Sequence, residues 1–286
     1  MELTNIKTIQ TLLTQNGFSF SKKLGQNFLI NPSVCPKIAQ YAQADKNCGV
    51  LEIGPGIGVL TAELAKAAKK VVAVEIDSKL LPVLNQTLAD FDNVKIINAD
   101  VLKLDLHNLI AQEFEGMDVL VCANLPYYIT SPIIMKLLES RLPVKSITVM
   151  VQKEAAQRIC APPGTRAAGA ISVAVDFFCT PKILFSVSRG SFMPAPNVDS
   201  AVIQLCVPEK PKYAVTGEKL FFKTVKSAFG QRRKTILNAL SAGLSLDKPA
   251  LSEVLSLSGV SPQARAEQLT TAQFITISEN LYLKGF

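Results

Sequence analysis

Between residues 50 and 160 the sequence alternates short apolar runs with helical patterns, and the first run breaks on closely spaced glycines. The runs are VLEI (50–53), VVAVEID (71–77), VKIINAD (94–100), MDVLVCANLPYY (117–128) and SITVMVQ (146–152). They are apolar throughout rather than alternating, as strands covered on both faces must be. Helical patterns separate or follow them: the Ala/Leu/Lys segment after Gly58, SKLLPVLNQTLAD, PIIMKLLES and KEAAQRICA. Such alternation predicts βαβ units and a doubly wound, Rossmann-like parallel sheet. Upstream, residues 33–47 predict a helix with Ser33 as a candidate N-cap.

The pattern changes after residue 170. AISVAVDFFC and SAVIQLCV read as β-rich and flank the loop SFMPAPNVD, which suggests added antiparallel strands at one side of the sheet. Pro208 and Pro211, among charges, mark a boundary. Beyond it LFFKTVKSAFGQRRKTILNALSAG and two shorter segments, near 248–258 and 270–283, are helical. The expectation is a large domain over 1–208 and a small all-α domain over 209–286, within what 286 residues allow.

Charge follows this division. Residues 1–31 carry three Lys/Arg against one Asp/Glu, residues 32–208 sixteen of each, and residues 209–286 eleven against six. The positive excess at both ends suits a polyanionic partner. A hydrophobic content of 48% excludes a disordered chain. No apolar run reaches the ~18 residues of a membrane span, and the first residues lack the apolar core of a secretory signal. A cytoplasmic protein is expected. The six cysteines form no CxxC pair, and the single histidine, His107, leaves no zinc-site spacing, so buried free thiols, no metal and no His-based triad are expected.

The glycine turn carries the first chemistry. Gly54, Gly56 and Gly58 let the chain turn tightly and let a ligand approach without a Cβ in the way. Glu75 closes the next strand run, nineteen residues after Gly56, where it can accept from both hydroxyls of a ribose. Asp100, after the third run, can receive an adenine amino group, and Asn124 closes the fourth. Ligands of open parallel sheets bind at this carboxyl edge. The GxGxG spacing, unlike the GxGxxG of dinucleotide sites, favours S-adenosylmethionine, which has no pyrophosphate to place on a helix N-terminus.

KKLGQNFLIN (22–31), LEIGPGIGVLT (51–61), VEID (74–77), NAD (98–100), NLPYYITSPII (124–134), VQKE (151–154), FMPAPNVDS (192–200) and FGQRRKT (229–235) together resemble the ribosomal RNA adenine dimethyltransferases, in order along the chain. The resemblance implies a class I methyltransferase sheet and dimethylation of the 6-amino group of two adjacent adenosines near the 3′ end of small-subunit ribosomal RNA. It also implies a role in subunit maturation, with the small ribosomal subunit as partner; a monomer is expected. Asn27, Leu29, Gly54, Gly56, Glu75, Ile76, Asp100, Val101 and Asn124 would hold S-adenosylmethionine. Asn124, Leu125, Pro126 and Tyr127 would form the catalytic turn, with Tyr127 and Phe192 against the target base. RNA phosphates would be met by a basic helix carrying Lys223, Lys226, Arg232, Arg233 and Lys234, helped by Lys22, Lys23 and Arg189. Two alternatives stay open: a large-subunit methyltransferase of the macrolide-resistance type, whose members often have isoleucine where this chain has Leu125, and a non-catalytic assembly or transcription factor on the same fold.

Overall fold

The computed structural model describes residues 1–20 and 25–286. These fall into two compact units, Met1–Ala156 with Lys182–Val207, and Gln157–Pro181 with Pro208–Phe286.

The first unit is built on a seven-stranded sheet. A two-stranded ribbon joins β1 (Phe28–Leu29) to the later β8 (Phe192–Met193), antiparallel. The sheet strands are β2 (Cys48–Ile53), β3 (Lys70–Glu75), β4 (Val94–Asn98), β5 (Asp118–Asn124), β6 (Ser146–Gln152), β7 (Thr180–Val187) and β9 (Ser200–Cys206). Their order is β4-β3-β2-β5-β6-β9-β7. β2 through β6 pair in parallel, and β9 runs antiparallel to β6. Every residue of the central β2 is buried, whereas the edge strand β4 has none fully buried. Burial on both faces thus holds for β2, β3, β5 and β6, and the expectation fails for VKIINAD, because β4 has a neighbour on one side only.

Helices α1 (Ile6–Gln15), α2 (Val34–Tyr41), α3 (Val59–Ala67), α4 (Leu81–Thr87), α5 (Leu106–Glu113), α6 (Thr130–Glu139) and α7 (Lys153–Ile159) fill the connections. α2 and α3 contribute Val34, Ile38, Leu60 and Leu64 to one buried cluster with Val50, Val71 and Cys122. α1 and α4 pack Ile9, Leu12, Val83 and Leu84 with Phe28 and Ile57 in another. Asn5 and Asp105 cap α1 and α5 through their side-chain oxygens. Ser33 stands at the N-cap of α2 but makes no side-chain cap. Asn31 Oδ1 instead accepts from the Ser33 amide and hydroxyl, at 3.0 and 2.9 Å. α2 also stops at Tyr41, short of residue 47, and Gln43 then takes a φ of 59°.

The second unit is helical: α8 (Ala170–Phe178), α9 (Glu218–Phe229), α10 (Ile236–Leu244), α11 (Lys248–Leu257) and α12 (Thr271–Leu283). The β-rich reading of AISVAVDFFC is corrected here, because this stretch is α8. Val173 and Phe177, one helical turn apart, are buried with Phe221, Leu240 and Phe274. The Phe177 and Phe221 rings lie 4.7 Å apart. Packing of this stripe overrides the strand preference of a β-branched run. For the same reason Gln157–Pro181 belong to the second unit, not to an uninterrupted unit over 1–208.

Asp176 on α8 ties three segments of this unit together. It accepts from Thr271 Oγ1 at 2.6 Å and from Tyr213 Oη at 3.2 Å, and it pairs with Lys212. Asp176→Ala leaves these donors without their shared acceptor, a loss of about 2 kcal/mol. Native-state hydrogen exchange should show Pro208–Phe286 opening more readily by that amount while the amides of β2, β3 and β5 keep their protection. Unchanged exchange in the second unit would contradict the assignment.

Candidate active site

The parallel register brings the carboxyl ends of β2, β3, β4 and β5 to one edge of the sheet, and a single cavity lies along it. Gly54 and Gly56, just past β2, line it with φ of 69° and 61°. A Cβ at Gly54 would project into open space, whereas one at Gly56 would come within 3.3 Å of the Phe28 ring. The turn is therefore held by its left-handed backbone and by close packing on β1, and it leaves the cavity side bare.

Glu75, the last residue of β3, is 5% exposed. Its Oε2 accepts from the Gly56 amide at 3.3 Å and its Oε1 from the Asp77 amide at 2.8 Å. One carboxylate thus fastens the glycine turn to the end of the neighbouring strand. Burial pushes its pKa up, and the two amide bonds pull against that. Ile76, which follows, is more than half exposed while lining the cavity. Asp100 and Val101 line it from beyond β4, and Asp100 Oδ1 accepts from the Leu102 amide at 3.0 Å.

The stretch Gly25–Leu29 closes one side of the cavity, with Asn27 and Leu29 among its lining. Gln26 Nε2 donates to Asp77 Oδ2 at 2.7 Å, and Asn124 Nδ2 donates to the Asn27 carbonyl at 3.4 Å. The Asn124 amide nitrogen is thereby committed, and its oxygen is the end left to accept from a ligand. Leu125, Pro126 and Tyr127 continue the lining. The Leu125 amide donates to the Met150 carbonyl at 3.1 Å, and the Pro126 carbonyl accepts from the Ile129 amide at 3.2 Å, so both ends of the turn are fixed. Tyr127 Oη lies 2.7 Å from Ser200 Oγ in a hydrogen bond.

Two expectations differ from what the structure places. Phe192 is 3% exposed, sits opposite Leu29 in the β1–β8 ribbon and packs in the apolar core; it is not among the cavity-lining residues. The basic residues do not share one helix. Lys223 and Lys226 lie exposed on α9, which ends at Phe229, and Arg232, Arg233 and Lys234 form an exposed turn before Thr235 caps α10. Gly230 and the Thr235 cap, whose Oγ1 accepts from the Asn238 amide, interrupt the helix there. Lys22 and Lys23 lie outside the described residues. Arg189 is exposed, and its backbone amide donates to Asp199.

The sequence reading misses Glu52, although an acid inside the fully buried β2 is a visible signal. It is 1% exposed, lines the cavity, and its Oε2 has no hydrogen-bond partner among the described residues. Burial pushes its carboxyl from an ordinary 4.5 to about 8; the nearby Thr61 hydroxyl pulls against the rise, and the charge of Glu75 adds to it. His107 is exposed on α5 and bonds the Ser140 carbonyl, and it does not line the cavity. Among the described residues, no three His, Cys, Asp or Glu side chains gather as metal ligands, and no helix is long and apolar enough to cross a membrane.

A sheet of this order, with a glycine turn, two strand-end acids and an NLPYY turn on one cavity, defines a class I S-adenosylmethionine-dependent methyltransferase. The residues present fit that cofactor. The bare face of the glycine turn leaves room for it, and the Glu52 oxygen that has no partner among the described residues lies on the same cavity. The profile of the ribosomal RNA adenine dimethylase family matches residues 17–282, and the chain belongs to that family. It is 48% identical over 283 residues to ribosomal RNA small subunit methyltransferase A of Alkaliphilus oremlandii (strain OhILAs), covering 99% of each chain. It is 49% identical over 276 residues to the protein of the same name from Bacillus mycoides (strain KBAB4), covering 95% of this chain and 94% of that one. Among solved structures it resembles a dimethyladenosine transferase from Plasmodium falciparum, with a TM-score of 0.72, 27% identity, and 91% and 98% of the two chains covered. It also resembles the 23S rRNA methyltransferase ErmE, with a TM-score of 0.67, 26% identity, and 90% and 100% covered.

The buried acids set a pH dependence. A raised carboxyl binds a proton in the folded state that the unfolded state has already released, so the contribution of Glu52 is complete below about pH 4.5 and is lost as the pH rises to about 8. Wild-type melting temperature should fall across that window and level off above it. Glu52→Gln should flatten the fall, leaving the part due to Glu75. An equally steep fall in the variant would contradict the assignment.

Proposed function

We propose that this chain transfers methyl groups from S-adenosylmethionine to the 6-amino groups of two adjacent adenosines near the 3′ end of small-subunit ribosomal RNA, in the cytoplasm and during subunit maturation. The observation that carries the reading is the NLPYY turn at the end of β5, on the same cavity as the glycine turn and Glu75. Near-full-length identity of 48–49% to two small-subunit methyltransferases supports this target over a large-subunit adenine.

When bound, S-adenosylmethionine supplies an electrophilic methyl group on a sulfonium. The chain's own residues must make an adenine amino group attack it. That nitrogen is a poor nucleophile, because its lone pair is delocalised into the ring. Asn124 Oδ1 and the Leu125 carbonyl are the acceptors for its two hydrogens, and holding both favours a pyramidal nitrogen with a localised lone pair. Pro126 keeps these acceptors in place, and the half-buried Tyr127 ring offers a face for the base to stack on. No strong general base is needed, since the amino group turns acidic only as the methyl arrives. Catalysis is then mostly orientation, an effect worth up to ~7–11 kcal/mol in well-aligned systems.

Glu75 and Asp100 take the ribose hydroxyls and the adenine amino group of the cofactor, and Ile76 and Val101 flank its ring. Asn27 and Leu29 cover its methionine end. The second unit, with Lys223, Lys226 and the Arg232–Lys234 turn exposed, meets RNA phosphates. The target base leaves its stack to reach the cavity.

With labelled S-adenosylmethionine and unmethylated small subunits, Asn124→Ala should keep subunit binding and lose at least about a hundredfold in methyl transfer. Glu75→Ala should keep subunit binding and lose cofactor affinity, read by calorimetry. Full activity of both variants would refute the site.

A further inference from the structure

Ser200 is invisible as a functional residue in sequence, because it looks like the first residue of an ordinary strand. Its position says otherwise. It opens β9 opposite Gln152, the last residue of β6, and its side chain is fully buried. The backbone beside it is pinned twice: the Asp199 carbonyl accepts from the Lys153 amide at 2.9 Å, and Asp199 Oδ1 accepts from the Arg189 amide at 3.0 Å. From this fixed point Ser200 Oγ reaches Tyr127 Oη, 2.7 Å away.

Tyr127 needs such an anchor. It lies in a single short turn, Tyr127–Ile129, after β5, and its ring lines the cavity. Backbone placement alone leaves the tyrosine side chain a choice of χ1 rotamers, and so a choice of directions for the axis from Cβ to Oη. A hydroxyl held at the far end selects one of them. Serine fits a fully buried strand start because it brings a hydroxyl with minimal bulk. Burial of the phenol and the nearby Asp199 charge both keep Tyr127 un-ionised, so the bond joins two neutral hydroxyls.

We propose that Ser200 is a positioning residue for methyl transfer: through its hydrogen bond it fixes the direction of the Tyr127 side chain, and so the place in the cavity of the ring on which the target adenine stacks. The proposal rests on the reading of Tyr127 given above. It makes the β9 end of the FMPAPNVDS segment and the NLPYY turn one device, and it separates base orientation from cofactor binding, since Ser200 is not among the cavity-lining residues.

A double-mutant cycle on the full chain tests it, with Ser200→Ala, Tyr127→Phe and the double variant. Single-turnover methylation of saturating unmethylated small subunits is the readout. Each single variant should be roughly tenfold slower, as for one lost hydrogen bond, and the double variant no slower than either. Calorimetric affinity for S-adenosylhomocysteine should stay at the wild-type value in all three. Carbon-13 tyrosine NMR adds a readout that a packing role would not move: without the Ser200 hydroxyl, which lowers the phenol's ionisation pH, Tyr127 should titrate higher than in the wild type. Multiplicative losses, roughly hundredfold in the double variant, would overturn the proposal. So would wild-type turnover by Tyr127→Phe, even where Ser200→Ala fails to fold. No methylation of adenosine by the wild-type chain would instead remove the functional reading, and the tyrosine titration would still judge the bond.

Discussion

Parallel pairing of β4, β3, β2 and β5 is the constraint from which the site follows. Parallel strands lie about 4.8 Å apart, so their four carboxyl ends span roughly 15 Å along one edge. Four residues far apart in sequence, Gly54, Glu75, Asp100 and Asn124, are delivered there at or just past their strands. The Glu75 carboxylate then locks the arrangement, because its bond to the Gly56 amide couples the glycine turn to the end of β3. The NLPYY turn is tied in the same manner, through the Leu125 amide on the Met150 carbonyl and through Asn124 on Asn27.

The cavity is costly to build. Glu52 and Glu75 are both buried on it, and both carboxyls are pushed up. A core of the same shape with apolar residues there would be more stable, so these acids are retained against the stability of the free protein. Binding of a positively charged cofactor would offset part of that cost. Other buried titratable groups of the unit, Cys35 and Cys122, are inert by the same physics: burial raises both thiols, and the charge of Glu52 raises them further.

Much of this was legible in the sequence, for identifiable reasons. The central strands announce themselves because strands covered on both faces must be apolar, and the glycine turn because only glycine adopts its backbone freely. The helix over 170–178 was not legible, since its Val and Phe residues favour a strand until Phe221 and Phe274 offer a surface for one helical stripe. The break between Lys226 and Arg232 was masked by continuous helical periodicity, although Gly230 and Thr235 carry the signals for an end and a cap. Phe192 and Ser200 depend on long-range pairing, of β8 with β1 and of β9 with β6, which no local pattern encodes. Phe192 turns into the core, and Ser200 reaches Tyr127 in the NLPYY turn.

The central claim is that this edge of the sheet methylates adenine of the small ribosomal subunit. The most direct measurement is nucleoside mass spectrometry of ribosomal RNA after incubating the protein and S-adenosylmethionine with unmethylated small and large subunits in parallel. The account predicts dimethyladenosine in small-subunit RNA only. Dimethyladenosine in large-subunit RNA, or none in either, would contradict it.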